Sequence, residues 1–408
     1  MKRLTGAFLA LMLLCALFTP CLAADAEADF TDQAAIRNDD AVQMLVDLGL
    51  IAGFEDGSFH PEENITREQV AKLIAILCTE DPGNENYVKF YDCYDSWAKN
   101  YIAYCSGRGI VSGDGYRFRP KDPVTARELA KMLLVVLGGD YGRYVGAQWA
   151  ENVDTDALDT GIYAGLSAAA EEPVSRDNAC LLIYNAMRSY AVADPHAEDA
   201  MQRYVLDDLM NPKTYLEVRY DVAHYTAVLT GNECANLAGG GKLEKGKTKL
   251  AGHKEFDVTT DLALVGRSVD IYMRDGEIVG VPCASTSELY YVFSSAAELE
   301  EICQDGTFSV TGDTEYYLNY SRSTLDSVRS VSADGRIIVI DHDGDFRFDT
   351  VFVLSGERAA VTAVSPLTVS IDERQTAVQA YDSSDCFAEG QNVLLFYVGG
   401  NAYIRPIE

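Results

Sequence analysis

The sequence predicts a multidomain α+β protein, with helical repeats in its N-terminal half and short strands in its C-terminal half. Two observations carry this prediction. A helix-start motif recurs at a regular interval before residue 190, and short β-rich runs separated by turn dipeptides follow residue 212. These patterns divide the chain into a leader, three repeats, a connector and two β subdomains, at residues 1–24, 25–80, 81–140, 141–190, 191–212, 213–288 and 289–408.

The helix-start motif occurs three times. Residues 65–72 read Ile-Thr-Arg-Glu-Gln-Val-Ala-Lys, residues 124–131 read Val-Thr-Ala-Arg-Glu-Leu-Ala-Lys, and residues 174–179 read Val-Ser-Arg-Asp-Asn-Ala. Ahead of the first two, Gly-Phe-Glu-Asp-Gly-Ser-Phe-His-Pro at 53–61 corresponds to Gly-Asp-Gly-Tyr-Arg-Phe-Arg-Pro at 113–120. Similar blocks in the same order, at an offset of 59 or 60 residues, indicate internal repeats.

Each motif has the pattern of a capped helix start. Thr66 is followed three residues later by Gln69, and Thr125 by Glu128, which is the spacing of a capping box. Apolar residues then recur at helical spacing and predict one buried face per helix. A single unit cannot bury such a face alone, so we expect the three units to pack their apolar faces together.

The motifs and their order resemble the S-layer homology family. Repeats of that family run from an aromatic-x-Asp start through a Gly-Asp-Gly-x-Phe-x-Pro loop to a Thr-Arg-Ala-Glu helix start. The resemblance covers roughly residues 30–190, and the third repeat, which lacks the loop, is degenerate. It implies an α-helical pseudo-trimer of helix–loop–helix units whose grooves bind secondary cell-wall polysaccharide, in some cases pyruvylated.

The resemblance assigns polysaccharide-binding residues one at a time. Arg67 and Arg176 fall on the motif Arg of the family, whereas the second repeat has Ala126 there and Arg127 one position later, about 100° around the helix. Trp97 fills the aromatic position, and a glycine opens each of the first two loops. The candidate binding residues are therefore Arg67, Arg176, Arg127, Trp97, Gly53 and Gly113.

Taken alone, the motifs could be no more than capped helix starts. An Arg in the first helical turn is disfavoured by the helix dipole by a few tenths of a kcal/mol, yet two repeats place one there. We therefore expect Arg67 and Arg176 to be exposed and to form an anion site together with the free N–H groups of the helix start.

The N-terminus and the charge predict the location of the chain. Lys2 and Arg3 precede an apolar run over residues 4–18, which is typical of an export signal and shorter than the ~20 residues of a spanning helix. The net charge of −30 repels nucleic acid. With the resemblance, this predicts a secreted cell-wall protein of a clostridial-type Gram-positive bacterium, without a membrane span or nucleic-acid partner. Lateral self-association and other surface proteins stay open as further partners.

The C-terminal half has the pattern of small all-β barrels or sandwiches. The dipeptide Asp275-Gly276 between two apolar runs predicts a hairpin, and a boundary between two subdomains is expected near residues 285–290. Eight cysteines lie outside the leader at irregular spacing, so disulfides and free thiols both stay open.

An acidic motif, Asp-His-Asp-Gly-Asp-Phe-Arg-Phe-Asp, occupies residues 341–349. It is similar to the Asp-x-Asp-Gly-Asp calcium loops of extracellular bacterial domains, although its glycine position excludes an EF-hand. We expect a structural Ca²⁺, and the alternative is a solvated acidic turn between two strands. The candidate ligands are Asp341, Asp343, Asp345 and Asp349.

No catalytic motif is present. The sequence contains no Gly-x-Ser-x-Gly, no His-Glu-x-x-His and no phosphate-binding loop, so we predict that the protein is not an enzyme. The alternative is a wall-anchored, glycan-active hydrolase or carbohydrate-binding module with its site in the β half. Two carboxylates at a glycosidase separation of ~5 to 9 Å would favour that alternative.

Overall fold

The computed structural model describes residues 30–80, 88–304, 306, 308–371, 374–382 and 385–407. The predicted leader at residues 1–24 lies outside these ranges. Within them, no helix has both the length and the apolar character needed to cross a membrane.

Each repeat contributes a pair of helices joined by a loop, as the pattern predicted. The pairs are α1 (Asp39–Asp47) with α2 (Arg67–Cys78), α3 (Lys99–Gly107) with α4 (Ala126–Val136), and α5 (Trp149–Asp159) with α6 (Arg176–Arg188). Thr66 and Thr125 form complete capping boxes, and Ser175 accepts a bond from the Asn178 N–H without the return bond. The predicted apolar faces are buried in one core.

The three repeats are joined by a closed ring of backbone hydrogen bonds just before the caps. Ile65 N–H donates to the Val174 carbonyl (3.1 Å), Val174 N–H to the Val124 carbonyl (2.8 Å), and Val124 N–H to the Ile65 carbonyl (3.1 Å). All three side chains are at most 1% exposed. Each repeat is therefore hydrogen-bonded to the other two through the equivalent residue of its own motif.

The connector leads through two short helices, α7 (Ala200–Arg203) and α8 (Tyr215–Tyr220), into three sheets. The first sheet has the order β3-β2-β1-β4-β5 and is antiparallel. Its strands are β1 (Ala223–Asn232), β2 (Lys247–Leu250), β3 (Glu255–Asp257), β4 (Ser268–Arg274) and β5 (Glu277–Ala284). The predicted hairpin is present as β4–β5, where Asp275 and Gly276 both have positive φ, the geometry that such a tight turn requires.

The second sheet has the order β6-β9-β10-β7-β8 and the third the order β13-β12-β11-β15-β16-β14. The second comprises β6 (Leu289–Phe293), β7 (Ser309–Leu318), β8 (Ser321–Arg322), β9 (Arg336–Asp341) and β10 (Arg347–Leu354), with helices α9 (Ala296–Cys303) and α10 (Asp326–Arg329). The third comprises β11 (Glu357–Val364), β12 (Leu367–Ile371), β13 (Arg374–Ala377), β14 (Gln379–Ala380), β15 (Asn392–Val398) and β16 (Asn401–Pro406).

The three sheets share one core. Ile271 of the first sheet, Phe352 of the second and Phe396 of the third belong to the same buried cluster. The sequence-predicted boundary near residues 285–290 separates the first two sheets, and the predicted second subdomain contains two sheets. The α+β class is as predicted, with helices first and strands after.

The first sheet also packs against the repeats. Tyr272 and Val279 belong to the core of the helical repeats, and Gly280 N–H donates to the Asp47 carboxylate of α1 at 2.7 Å. A Cβ on Gly280 would lie 3.1 Å from the Met44 side chain, so α1 and β5 are in close contact. The helical and β halves are therefore continuous at this sheet.

Candidate functional site

Arg67 lies inside the protein. The residue is only 4% exposed, and its guanidinium donates to the Phe118 carbonyl (2.8 Å), the Ser112 carbonyl (2.8 Å) and the Glu128 carboxylate (2.9 Å). All three acceptors belong to the second repeat. The expectation that this Arg is exposed is wrong, because its fork of donors is used to hold the next repeat.

Arg176 occupies the equivalent position in the third repeat and reaches the first. It is 9% exposed and donates to the Phe59 and Ala52 carbonyls, both at 2.8 Å. Its guanidinium carbon lies 4.7 Å from the centre of the Phe59 ring. Burial lowers the pKa of both Arg67 and Arg176 from its ordinary value. The exposure predicted for Arg176 is likewise wrong.

The first-turn N–H groups, which the sequence led us to expect free, are already bonded. Arg67 N–H and Glu68 N–H donate to the carbonyls of Asp122 (3.0 Å) and Pro120 (2.8 Å). The third repeat uses Arg176 N–H in the same way, toward the Glu63 carbonyl at 2.8 Å. The predicted anion site at the helix start is therefore wrong, since its donors bind the neighbouring repeat.

Arg127 makes the corresponding contact from the second repeat to the third, but with carboxylates. Its guanidinium donates to both oxygens of Asp154, the shortest distance being 2.6 Å, and to Glu171 at 2.6 Å. Hydrogen bonding to Arg127 is the main reason that the pKa of Asp154 lies below its usual range. Two acids thus neutralise this Arg.

A groove of about 380 Å³ lies between the second and third repeats. Lys131 of α4 lines the groove, with its Nζ 5.5 Å from the centre of the Tyr141 ring and 5.6 Å from the centre of the Trp149 ring. Arg67 and Arg119 also line the groove, each beside an acid of the lining, Glu128 at 2.9 Å and Asp114 at 3.7 Å, so Lys131 is the cation in excess. Partial burial lowers the pKa of Lys131, an effect that Glu128 opposes. The groove combines cations with aromatic faces, a combination suited to an anionic sugar.

Gly113 also lines this groove, and the structure shows why this position requires a glycine. A Cβ there would collide with the Arg117 carbonyl and lie 2.7 Å from the Phe90 ring. A Cβ on Gly53 would likewise lie 2.7 Å from the Phe30 ring. Both glycines allow the loop to close over an aromatic residue, and their predicted contact with polysaccharide stays a prediction.

Lys131 and Trp149 were not among the residues predicted from the sequence to bind polysaccharide. Trp97 is 58% exposed beside Tyr101, outside the lining of this groove. A signal for its counterpart was nevertheless present, because Trp-Ala-Lys-Asn at 97–100 recurs as Trp-Ala-Glu-Asn at 149–152. Trp149 thus holds in the third repeat the position that Trp97 holds in the second.

Three of the four candidate calcium ligands converge. Carboxylate oxygens of Asp341, Asp343 and Asp345 lie within 4.8 Å of one another. Asp341 is fully buried and accepts N–H bonds from Gly344 (2.7 Å) and Phe346 (2.8 Å). Asp349 is instead directed to the N–H of His342 at 2.8 Å. Backbone N–H groups therefore offset part of the negative charge that, from the sequence, we expected a cation to offset.

The family model described as the S-layer homology domain matches residues 29–71 and 89–130. These segments contain the first two repeats from their aromatic starts into α2 and α4.

Curated relatives match parts of the chain. An S-layer protein of Bacillus licheniformis is 31% identical over 97 residues, which are 24% of this chain and 11% of that protein. An S-layer protein of Bacillus thuringiensis subsp. finitimus is 20% identical over an alignment of 395 positions that covers 87% of this chain and 46% of that protein. An uncharacterized cell wall amidase of Bacillus anthracis is 31% identical over 134 residues, which are 33% of this chain and 24% of that protein. The chain thus spans less than half of each relative.

Proposed function

We propose that this chain, a secreted protein of the cell-wall surface that carries S-layer homology domains, is anchored non-covalently by binding secondary cell-wall polysaccharide between its repeats. The groove between the second and third repeats carries this proposal. Lys131 and Arg119 supply positive charge there, while Tyr141 and Trp149 supply ring faces for the sugar. A pyruvyl group on the glycan would give these cations a carboxylate to bind.

We further propose that the three repeats form a pseudo-threefold unit. The closed hydrogen-bond ring through Ile65, Val124 and Val174 supports this arrangement. So does the cyclic pattern in which Arg67 reaches the second repeat, Arg127 the third and Arg176 the first. In this arrangement the motif arginines shape the grooves from within, and only the edge of Arg67 reaches the groove itself.

The test is sedimentation of the full-length mature protein with purified native walls and with walls chemically stripped of secondary polysaccharide. The wild type should sediment with native walls but not with stripped walls. Lys131→Ala combined with Trp149→Ala should reduce sedimentation, because it removes the central cation and a ring face of the groove. The matched control is Lys245→Ala combined with Tyr397→Ala, which changes an exposed lysine and an exposed tyrosine of the β half. Equal sedimentation with stripped walls would contradict the proposal.

We also propose that the acidic loop binds a structural Ca²⁺ through Asp341, Asp343 and Asp345. The convergence of their oxygens supports the site, with Asp349 holding the loop through His342. We expect a Kd in the ~10⁻⁴ to 10⁻³ M range of extracellular sites. Calcium at ten times the Kd should then raise the free energy of unfolding by about 1.4 kcal/mol. The melting temperature should rise in millimolar calcium relative to chelator, and Asp343→Asn with Asp345→Asn should abolish the rise. A calcium-insensitive wild type would contradict the site.

We infer that the β half is non-catalytic. The likeness to an S-layer protein over 87% of the chain supports this view, while the amidase likeness over 33% of the chain keeps the hydrolase alternative in consideration. Release of reducing ends or free amines from purified walls by the pure protein would contradict the inference.

A further inference from the structure

A second cleft, of about 1120 Å³, lies outside the inter-repeat groove. Its walls come from the third repeat, from the connector and from the first sheet, including Asp156, Arg188, Tyr190, Tyr204 and Tyr272. Its volume exceeds the roughly 300–1,000 Å³ of small-molecule sites. A cleft of this size is therefore suited to a stretch of an oligomeric ligand.

The connector wall of the cleft is fixed in place by backbone hydrogen bonds. Ala191 N–H donates to the Lys213 carbonyl at 3.0 Å, and Val192 N–H donates to the Leu137 carbonyl at 2.7 Å. These bonds attach the connector to itself and to the end of α4. The fold itself therefore holds the connector wall of the cleft in place, without a ligand.

Aromatic pairs stand on two sides of the cleft. On the connector side the Tyr190 and Tyr204 rings lie 5.5 Å apart, and Tyr190 is 50% exposed. On the sheet side the His224 ring lies 5.1 Å from the Tyr272 ring, but Tyr272 is buried in the core of the repeats, so the connector pair supplies the accessible ring faces. Such rings present apolar faces beside polar edges, which matches the alternation of C–H faces and hydroxyls on a sugar ring.

The charges in the cleft compensate one another. Arg143 donates to both oxygens of Asp156, at 2.6 and 2.8 Å, and the Tyr144 hydroxyl donates to the same carboxylate at 2.9 Å. The lining also includes the cations Arg188 and Arg203 and the acids Asp140, Asp159 and Glu217, so three cations are nearly balanced by four acids. An anionic polymer would meet the acids and a cationic one the arginines. Fixed donors and acceptors of both kinds instead suit a polyhydroxylated, uncharged ligand.

We propose that this cleft binds an uncharged stretch of the same wall polysaccharide whose anionic part occupies the inter-repeat groove. The two cavities are adjacent, because Tyr144 lines both, and a glycan chain that bridges them would contact both. This inference rests on the proposed function. It adds that affinity increases with the length of the glycan, because only a long chain reaches from the groove into the cleft.

The experiment measures binding of the full-length protein to wall polysaccharide that has been released from the wall and separated into short and long fragments. Tyr190→Ala combined with Tyr204→Ala should weaken binding of long fragments by about tenfold, or ~1.4 kcal/mol, and leave short fragments unaffected. Tyr397→Ala, at an exposed tyrosine of β15, is the control and should change neither.

Unchanged affinity for long fragments in the folded double variant would overturn the inference. If that variant does not fold, the exposed Arg203→Ala decides instead, and unchanged long-fragment binding again overturns it. Failure of the proposed function gives a different result: the groove variant Lys131→Ala with Trp149→Ala would then bind both fragment classes like the wild type.

Discussion

Two junctions between repeats use the same kind of side chain in different surroundings. Arg67 is 5% exposed at its side chain and binds two backbone carbonyls and Glu128, whereas Arg127 is 15% exposed and binds only carboxylates, Asp154 and the largely exposed Glu171. A buried guanidinium that satisfies carbonyls cannot be removed without leaving those acceptors unpaired. A partly exposed ion pair contributes less, because water replaces its partners. The difference indicates that the motif Arg is a structural residue first, and that the second repeat has replaced it with a weaker contact.

The largest effect is expected for Arg67→Ala. It leaves the carbonyls of Ser112 and Phe118 and the Glu128 carboxylate without their donor, so the free energy of unfolding should fall by about 2–4 kcal/mol. Chemical denaturation of the full-length protein measures this loss, and Arg176→Ala should behave similarly. An exposed Arg67, as expected from the sequence, would have left the melting temperature nearly unchanged when replaced, and its burial reverses that expectation. An unchanged unfolding midpoint would show that the junction does not hold the repeats together.

A truncation sharpens the comparison between the repeats and the sheet that covers them. A fragment that ends at Tyr190 lacks Tyr272 and Val279, which complete the repeat core, and exposes the face of α1 that packs on β5. The repeats of this fragment should be less stable than the repeats within the full chain, by about 1.5–3 kcal/mol for each large apolar side chain uncovered. Thermal unfolding of the fragment and of the full chain, followed by the helical signal, measures the difference.

Equal stability of the repeats in the fragment and in the full chain would show that the first sheet does not stabilise the repeats. In that case the sequence-based boundary at residue 190 would be the correct end of the anchor.

A smaller effect is expected at the Arg127 junction, and it should depend on pH. The folded-state pKa of Asp154 is lowered by Arg127, so this contact stabilises the protein above the unfolded carboxyl pKa of about 3.9. The contribution is lost as the pH falls through the lower folded-state pKa. Unfolding curves at pH 7 and at acid pH should therefore show less acid sensitivity in Arg127→Ala than in the wild type. An identical acid dependence in both proteins would exclude the Arg127–Asp154 pair as a source of the acid sensitivity.

Much of the helical half could be predicted from the sequence because its signals are local. The two residues of each capping box, Thr66 with Gln69 and Thr125 with Glu128, are only three positions apart in the sequence. Both capping boxes form in the structure. The burial of Arg67 could not be predicted in this way, because its acceptors, Ser112 and Phe118, lie 45 and 51 residues away in another repeat. A motif position that is polar in sequence becomes interior only when the repeats assemble.

The β half shows the same limit. Asp275-Gly276 predicted a hairpin because a tight turn needs only two residues of suitable conformation. The shared core of Ile271, Phe352 and Phe396 depends on contacts between sheets that no short-range pattern encodes. At the site, Trp149 was detectable as a repeat of Trp97, whereas the position of Lys131 between two rings required the fold.

The largest effect on binding is expected for Lys131→Ala combined with Trp149→Ala. Both residues line the groove, and because Trp149 also packs against the core of the repeats, unfolding curves must show that the double variant is folded. The most direct measurement is calorimetric titration of the full-length protein with purified wall polysaccharide, with unfolding curves taken on the same samples. The account predicts a folded double variant whose affinity is at least about tenfold weaker, or ~1.4 kcal/mol. Wild-type affinity in that folded variant would contradict the assignment of the groove.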